Sequence, residues 1–249
     1  MSAPAFNIRV INLARSPQRW GRISASLQAL GLSFERLEAV DGAALSDAQV
    51  EACYDAQANR QRYFMPLRRT EVACFLSHRK AWASVQAAAP LVVLEDDVEF
   101  VAPPQAVLSV LAAYLQQAGP CMVKLYSKRA VRGQVLATWP GGYQLIRPSL
   151  APLGAQAQAL NHAAAQRLLA VTERFWEPVD VALQRRWDTG VDMLVLAPNV
   201  VREVSAEVGG STIQGRAAAL AGPGFAARFQ RELARPWFRL RRWGQALLK

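Results

Sequence analysis

The chemistry-bearing residues gather at one place. The run LVVLEDDVEF (Leu91 to Phe100) passes from an apolar segment straight into Glu95, Asp96 and Asp97. This happens in a chain of 249 residues with a formal net charge of +10. Three adjacent carboxylates repel one another, and the end of a buried strand makes the repulsion worse. A hard divalent cation relieves it, because Mg²⁺ or Mn²⁺ takes oxygen ligands from one or two carboxylates and completes its shell with water and phosphate. Glu95 and Asp97 are one residue apart, so in an extended segment they point to the same side. The spacing predicts half a metal site, Glu95 and Asp97, whose remaining ligands are diphosphate oxygens. A solvated loop, or Asp97 as a helix cap, is the plainer alternative.

The second group lies in RRTEVACFLSHRKAW (Arg68 to Trp82). His78 falls between Phe75 and Trp82 on the apolar arc of a helix, where a satisfied core histidine is the ordinary outcome. Arg68, Arg69, Arg79 and Lys80 read as solvated surface, with one or two free to face a phosphate. The Ser-x-x-Lys match at Ser77 is chance, since the accompanying motifs are absent. There is no P-loop, Gly-x-Gly-x-x-Gly, His-Glu-x-x-His or Cys-x-x-Cys. With only His78 and His162 present, a histidine-based metal site is not expected. Cys53, Cys74 and Cys121 are odd in number and far apart, which reads as reduced thiols rather than a disulfide framework or a zinc site.

The elements that must position these residues follow from periodicity. Phe6, Ile8 and Val10 alternate in a first strand. Ser16, Pro17 and Gly31 punctuate a helix that buries Trp20, Ile23, Leu27 and Leu30. FERLEAV is a second strand, closed by Asp41-Gly42, and SDAQ at Ser46 is a capping box. A helix is predicted from Thr70 to Ala88, then LVVLEDD as a strand buried on both faces. Pro103-Pro104 and Gly119-Pro120 bracket a further helix, and CMVKLYS is a strand. VRGQVLATWPGGYQLIRPS reads as a loop or hairpin insertion, followed by a helix at 161–175 and the strand VDMLVLAP. Alternating strands and helices imply an α/β fold with a mostly parallel sheet, and ligands on such sheets bind beyond the carboxyl ends of the strands.

No apolar run reaches the roughly 20 residues of a membrane span, and the first residues lack a secretory pattern, so a cytoplasmic protein is expected. The expected division is a domain at 1–222 and a tail at 223–249. Seven basic residues against Glu232 give that tail a charge of +6, interleaved with Phe225, Trp237 and Trp243. Such a segment suits the headgroup region of an anionic membrane, ahead of ordinary domain packing, with nucleic acid the least favoured partner.

Several stretches together resemble glycosyltransferase family 25, the lipooligosaccharide galactosyltransferase-like family. INLARSPQRWGRISASLQALGLSFERLEAVDG is similar to its opening. EVACFLSHRKAW resembles its Gly-Cys-x-x-Ser-His-x-x-x-Trp block and VVLEDDV its Leu-Glu-Asp-Asp block. LGAQAQALNHAAAQRLL and PVDVAL resemble later blocks. Thr70 to Ala73, Gln156 and Gln158 depart from the usual pattern. The resemblance implies a GT-A-like Rossmann-type fold, a UDP-sugar donor (most often UDP-galactose), and inversion. It implies a lipopolysaccharide-like glycolipid or oligosaccharide acceptor at the inner face of a bacterial membrane.

By carry-over, Asn12, Leu13 and Asp41 lie near the nucleotide and Ser77 and His78 line the donor pocket, with Asp96 grouped among these donor-binding residues. Arg15, Arg19, Lys80 or Lys124 neutralises the diphosphate. A metal (Mn²⁺ or Mg²⁺) on Glu95 and Asp97 stabilises the leaving group. Asp180, Asp188 and Asp192 are the candidates for the base that takes the acceptor proton, Asp180 first. The alternatives are a non-catalytic module on a degenerate transferase fold, associated with membrane or nucleic acid, and a metal-dependent phosphoesterase or nucleotidyltransferase.

Overall fold

The structure, a computed structural model, describes residues 6–63 and 65–208. The expected boundary at 222 and the basic tail lie outside the described residues. The chain begins with β1 (Asn7–Asn12), α1 (Pro17–Ala29) and β2 (Glu35–Glu38). Three helices, α2 (Asp47–Cys53), α3 (Ala56–Arg62) and α4 (Arg69–Ala83), then lead to β3 (Leu91–Glu95) and the short β4 (Val98–Phe100). Next come α5 (Gln105–Gln117), β5 (Cys121–Lys124), a hairpin of β6 (Gly133–Trp139) and β7 (Tyr143–Pro148), and β8 (Ala157–Leu160). The remainder is α6 (His162–Val171), α7 (Val179–Ala182), α8 (Arg186–Thr189), β9 (Asp192–Ala197) and β10 (Val201–Glu203).

Eight strands form one sheet in the order β2-β1-β3-β8-β5-β9-β7-β6, and β4 pairs with β10 apart from it. β1, β2, β3, β5 and β9 share one direction, with β8 inserted antiparallel between β3 and β5. The result is the expected mostly parallel α/β sheet flanked by helices, consistent with a Rossmann-like GT-A fold. The VRGQ…RPS segment is the hairpin β6–β7, turned by Gly141 and Gly142 at positive φ, and it extends the sheet edge. No strand was expected at β8, because alanine and glutamine are poor strand formers and four residues show little periodicity. It forms nonetheless, buried throughout, because both neighbours supply a ladder.

Alternation along the strands divides the core into two layers. Ile8, Val10, Val92 and Leu94 face α1 and α5, meeting Ile23, Leu27, Leu108 and Leu111. Ile11, Leu91, Val93 and Met122 face α4 and α6, meeting Phe75, Trp82, Ala164 and Leu168. Each large side chain buried here contributes about 1.5–3 kcal/mol. α1 begins at Pro17 as expected, and α2 carries the reciprocal capping box of Ser46 and Gln49. α4 stops at Ala83, short of the expected Ala88. Ser84 Oγ there donates to the Ala81 carbonyl, and the chain must still turn into β3 before Pro90.

Asn161 is the expected cap of α6, and its reach is wider. Its Oδ1 accepts from Ala164 N at 2.9 Å and Cys121 N at 3.2 Å. Its Nδ2 donates to the carbonyls of Leu115, Ala118 and Gly119 at 3.0, 3.2 and 2.7 Å. One amide thus ties α5, β5 and α6 together. Asn161→Ala should cost about 2–3 kcal/mol, the lost cap plus stranded buried groups. Thermal denaturation would register this as a fall of roughly 5–10 °C; an unchanged melting temperature would refute the assignment.

Candidate active site

β1 and β3 are neighbours, yet the helix after β1 and the helix before β3 cover opposite faces. Their carboxyl ends therefore part around a crevice, the usual ligand position on an open α/β sheet. An open cleft lies there, lined by residues of β1, α1, α4 and the acidic triplet. Glu95 ends β3, and Asp96 and Asp97 make the turn into β4.

Asp96 and Asp97 are only 7% and 8% exposed, although they line the cleft. Asp96 accepts from Asn12 Nδ2 at 2.6 Å and from Arg19 Nη1 at 2.5 Å. Asn12 is itself fixed: its Oδ1 accepts from Arg36 at 3.0 and 2.6 Å, and its Nδ2 also reaches the Ser16 carbonyl. Arg19 lies 3.6 Å from Asp97 Oδ2 and is 7% exposed, so one buried guanidinium faces two buried carboxylates. Asp97 Oδ1 is buried with no hydrogen-bond partner. Burial first, then the charge of Glu95, raises the Asp97 carboxyl to about 7 against the pull of Arg19. Burial also raises Asp96, opposed by Asn12 and Arg19.

Glu95 is held from the other wall. His78 Nε2 is 3.0 Å from Glu95 Oε1, and Gln158 Nε2 is 3.0 Å from His78 Nδ1 and 3.2 Å from the Ala155 carbonyl. The amide nitrogen can only donate, so Nδ1 accepts and Nε2 carries the proton given to Glu95. His78 is thus both a buried core residue and a wall of the cleft. Ser77 is also buried there; its Oγ donates to the Ala73 carbonyl and accepts from Val40 N. Cys74, one turn before His78, lines the same wall, and burial holds its thiol well above the usual range.

Residues 6–128, which contain this whole constellation except Gln158 and Ala155, match the family model described as glycosyltransferase family 25 (LPS biosynthesis protein). On that stretch the chain belongs to glycosyltransferase family 25. It is 40% identical over 96 residues to the inactive glycosyltransferase 25 family member 3 of Mus musculus, covering 36% of this chain and 16% of that protein. It is 35% identical over 103 residues to procollagen galactosyltransferase 2 of Homo sapiens, covering 37% and 16%. A glycosyltransferase 25 family member of Aedes aegypti is 33% identical over 103 residues, covering 38% and 16%. The chain thus spans about a sixth of the length of these relatives.

The expected family 25 residues divide by position. Leu13, Arg15, Arg19, Ser77, His78, Glu95, Asp96 and Asp97 line the cleft, and Asn12 sits behind Asp96. Arg15 pairs with Asp41 at the cleft mouth. Gly42 lets the turn after β2 press onto α4, since a Cβ there would stand 2.9 Å from the Arg69 carbonyl. Two lysines expected to meet a diphosphate are placed otherwise. Lys80 is exposed and donates to the Glu38 carbonyl at 2.9 Å. Lys124 is 1% exposed, and its Nζ donates to the Pro152 carbonyl. Burial lowers Lys124 to about 8, opposed by Asp180.

The three aspartates proposed as base also separate. Asp180, on α7, accepts from Gly154 N at 3.1 Å; it does not line the cleft, though its charge acts on Cys74, which does, and on buried Lys124. Asp188 is exposed beside Arg185 at 2.6 Å. Asp192 begins β9, an inner strand of the sheet, at the amino end of the parallel strands, and pairs with Arg147 at 2.7 Å. Neither reaches the triplet, because each is drawn to an arginine of its own surface. Gln158, Arg36 and Cys74 had no expected role. Only Cys74 carried a legible signal, one helical turn from His78.

Proposed function

We propose that this family 25 chain transfers a hexose from a nucleotide-diphosphate sugar, UDP-galactose first among the candidates, to a glycan acceptor with inversion. The observation that carries this reading is Asp97 Oδ1, a buried oxygen without a partner, beside Glu95 in a crevice at the strand ends. A hard divalent cation fits it: Asp97 and the second oxygen of Glu95 offer carboxylate donors, while Asp96 is spent on Asn12 and Arg19. When bound, Mn²⁺ or Mg²⁺ supplies Lewis-acid stabilisation of the departing diphosphate. The protein groups do the rest. Arg19 holds the carboxylates in place, Arg15 offers positive charge at the mouth, and His78 orients Glu95. Asp180 takes the acceptor proton as the hydroxyl attacks, and a single displacement inverts the anomeric carbon. The galactosyltransferase among the relatives supports the choice of sugar.

The name of the mouse relative favours a second reading, a donor-binding module without turnover. A thermal-shift screen of nucleotide sugars with and without Mn²⁺, followed by donor turnover, separates the two. Stabilisation grows with ligand occupancy of the folded state, about 2.7 kcal/mol at a hundred times Kd. Metal-dependent stabilisation by a UDP-hexose with turnover is expected. Stabilisation without turnover would select the second reading, and no shift with any donor would overturn both.

A further inference from the structure

The cleft wall holds a second set of donors whose chemistry differs from that of Asp97. Cys74 and His78 are four residues apart on α4, so they lie one above the other on one face. Glu95 reaches the same point from the end of β3, and Cys74 Sγ, a His78 ring nitrogen and a Glu95 oxygen all lie within 4.8 Å of one another. Among the described residues this is the one group of three metal-type ligands so placed. A tetrahedral ion with bonds of about 2.0–2.3 Å sets its ligand atoms roughly 3.3–3.8 Å apart, so small side-chain rotations close the cluster. All three residues line the cleft, which leaves a fourth position open to water.

A second observation comes from behind His78. Gln158 is 0% exposed, and its Oε1 has no partner. With Nε2 on a metal, the imidazole proton moves to Nδ1 and needs an acceptor, the usual outer partner of a ligating histidine. Turning the Gln158 amide over supplies that acceptor and gives the stranded oxygen its hydrogen bond, in exchange for the 3.2 Å contact to Ala155.

We propose that Cys74 Sγ, His78 Nε2 and Glu95 form a tridentate site, open to the cleft, for a thiophilic divalent cation such as Zn²⁺ or Co²⁺. A thiolate and an imidazole select such ions over Mg²⁺ and Mn²⁺, which prefer oxygen. Binding breaks the Cys74 S–H bond and releases that proton to solvent; the imidazole keeps its own proton, moved to Nδ1. The site shares Glu95 with the proposed donor-metal position but not Asp97, so the two assignments fail separately.

Cobalt tests it, because a thiolate ligand gives Co²⁺ an intense near-ultraviolet charge-transfer band. Titration of the full chain with Co²⁺ should produce that band at about one equivalent, with Zn²⁺ displacing it. Cys74→Ser and Cys74→Ala should each abolish the band, and Asp97→Asn should keep it. No band at saturating Co²⁺, or one that survives both Cys74 substitutions, would overturn the site. If the band requires Asp97, one shared site replaces the two, and the proposal is equally overturned.

Discussion

Asp97→Asn should reduce transfer by roughly a thousand-fold or more, the scale on which removal of one preorganised electrostatic partner acts. It should do so without unfolding the protein. The substitution is close to isosteric, and it removes a buried charge that, among the described residues, only Arg19 answers, at 3.6 Å. The pH dependence has a definite sign. Folding raises the Asp97 carboxyl from 3.8 to about 7, so the folded state holds the proton more tightly than the unfolded state. The stability tied to that proton is complete below the unfolded value and is lost as pH rises through about 7. Without divalent cations, the asparagine variant should therefore gain on the wild type between pH 5 and pH 8, by on the order of 2 kcal/mol. Saturating Mn²⁺ should raise the wild type at pH 8 and leave the variant unmoved. Parallel melting curves across that pH range would remove the buried anion from the account. Undiminished transfer would remove the metal.

Arg19→Met should give the largest loss of stability. The guanidinium faces both Asp96 and Asp97 in a largely buried wall of the cleft. Taking away one partner of a buried ionic group leaves the others uncompensated and costs about 3–5 kcal/mol. In a protein of this size that is a fall of roughly 6–20 °C. Acid should narrow the gap, since protonating the two carboxyls removes the charge that needs an answer. Arg19→Lys should restore little, because a single ammonium nitrogen lacks the planar fork whose two terminal nitrogens face Asp96 and Asp97 separately. Denaturation of the three proteins at pH 5 and pH 8 checks this; an Arg19→Met variant as stable as wild type at pH 8 would show that the carboxylates are neutralised elsewhere.

What could be read in advance follows from how local each signal is. β1, α1, β3 and the Asn161 cap announce themselves within about ten residues each, through alternation, helical spacing or a capping side chain. The acidic triplet was legible because charge at the end of an apolar run is itself a local anomaly. β4, β10 and α3 escaped because each is short, and β8 because its residues carry no preference for the strand the sheet imposes. Within the site, distance in sequence decided the matter. Glu95 and Asp97 were visible as candidate ligands, but not the division of labour that gives Asp96 to Asn12 and Arg19. Lys124 was expected at the diphosphate by carry-over from the family. Only the packed loop that brings the Pro152 carbonyl above it shows otherwise. Two histidines in the whole chain argued against a histidine metal site; the site proposed at Cys74, His78 and Glu95 would need only one of them.

The reversed strand β8 has a consequence for how such a protein could be recombined. The crevice belongs to the first half of the chain, yet the amide that sets its imidazole arrives on a strand inserted from the second half, 80 residues further on. The two halves are therefore not interchangeable cassettes. A chimaera that keeps residues 6–128 and borrows the rest inherits the carboxylates intact, but its imidazole keeps its orientation only if the borrowed segment also presents a carboxamide at that rung.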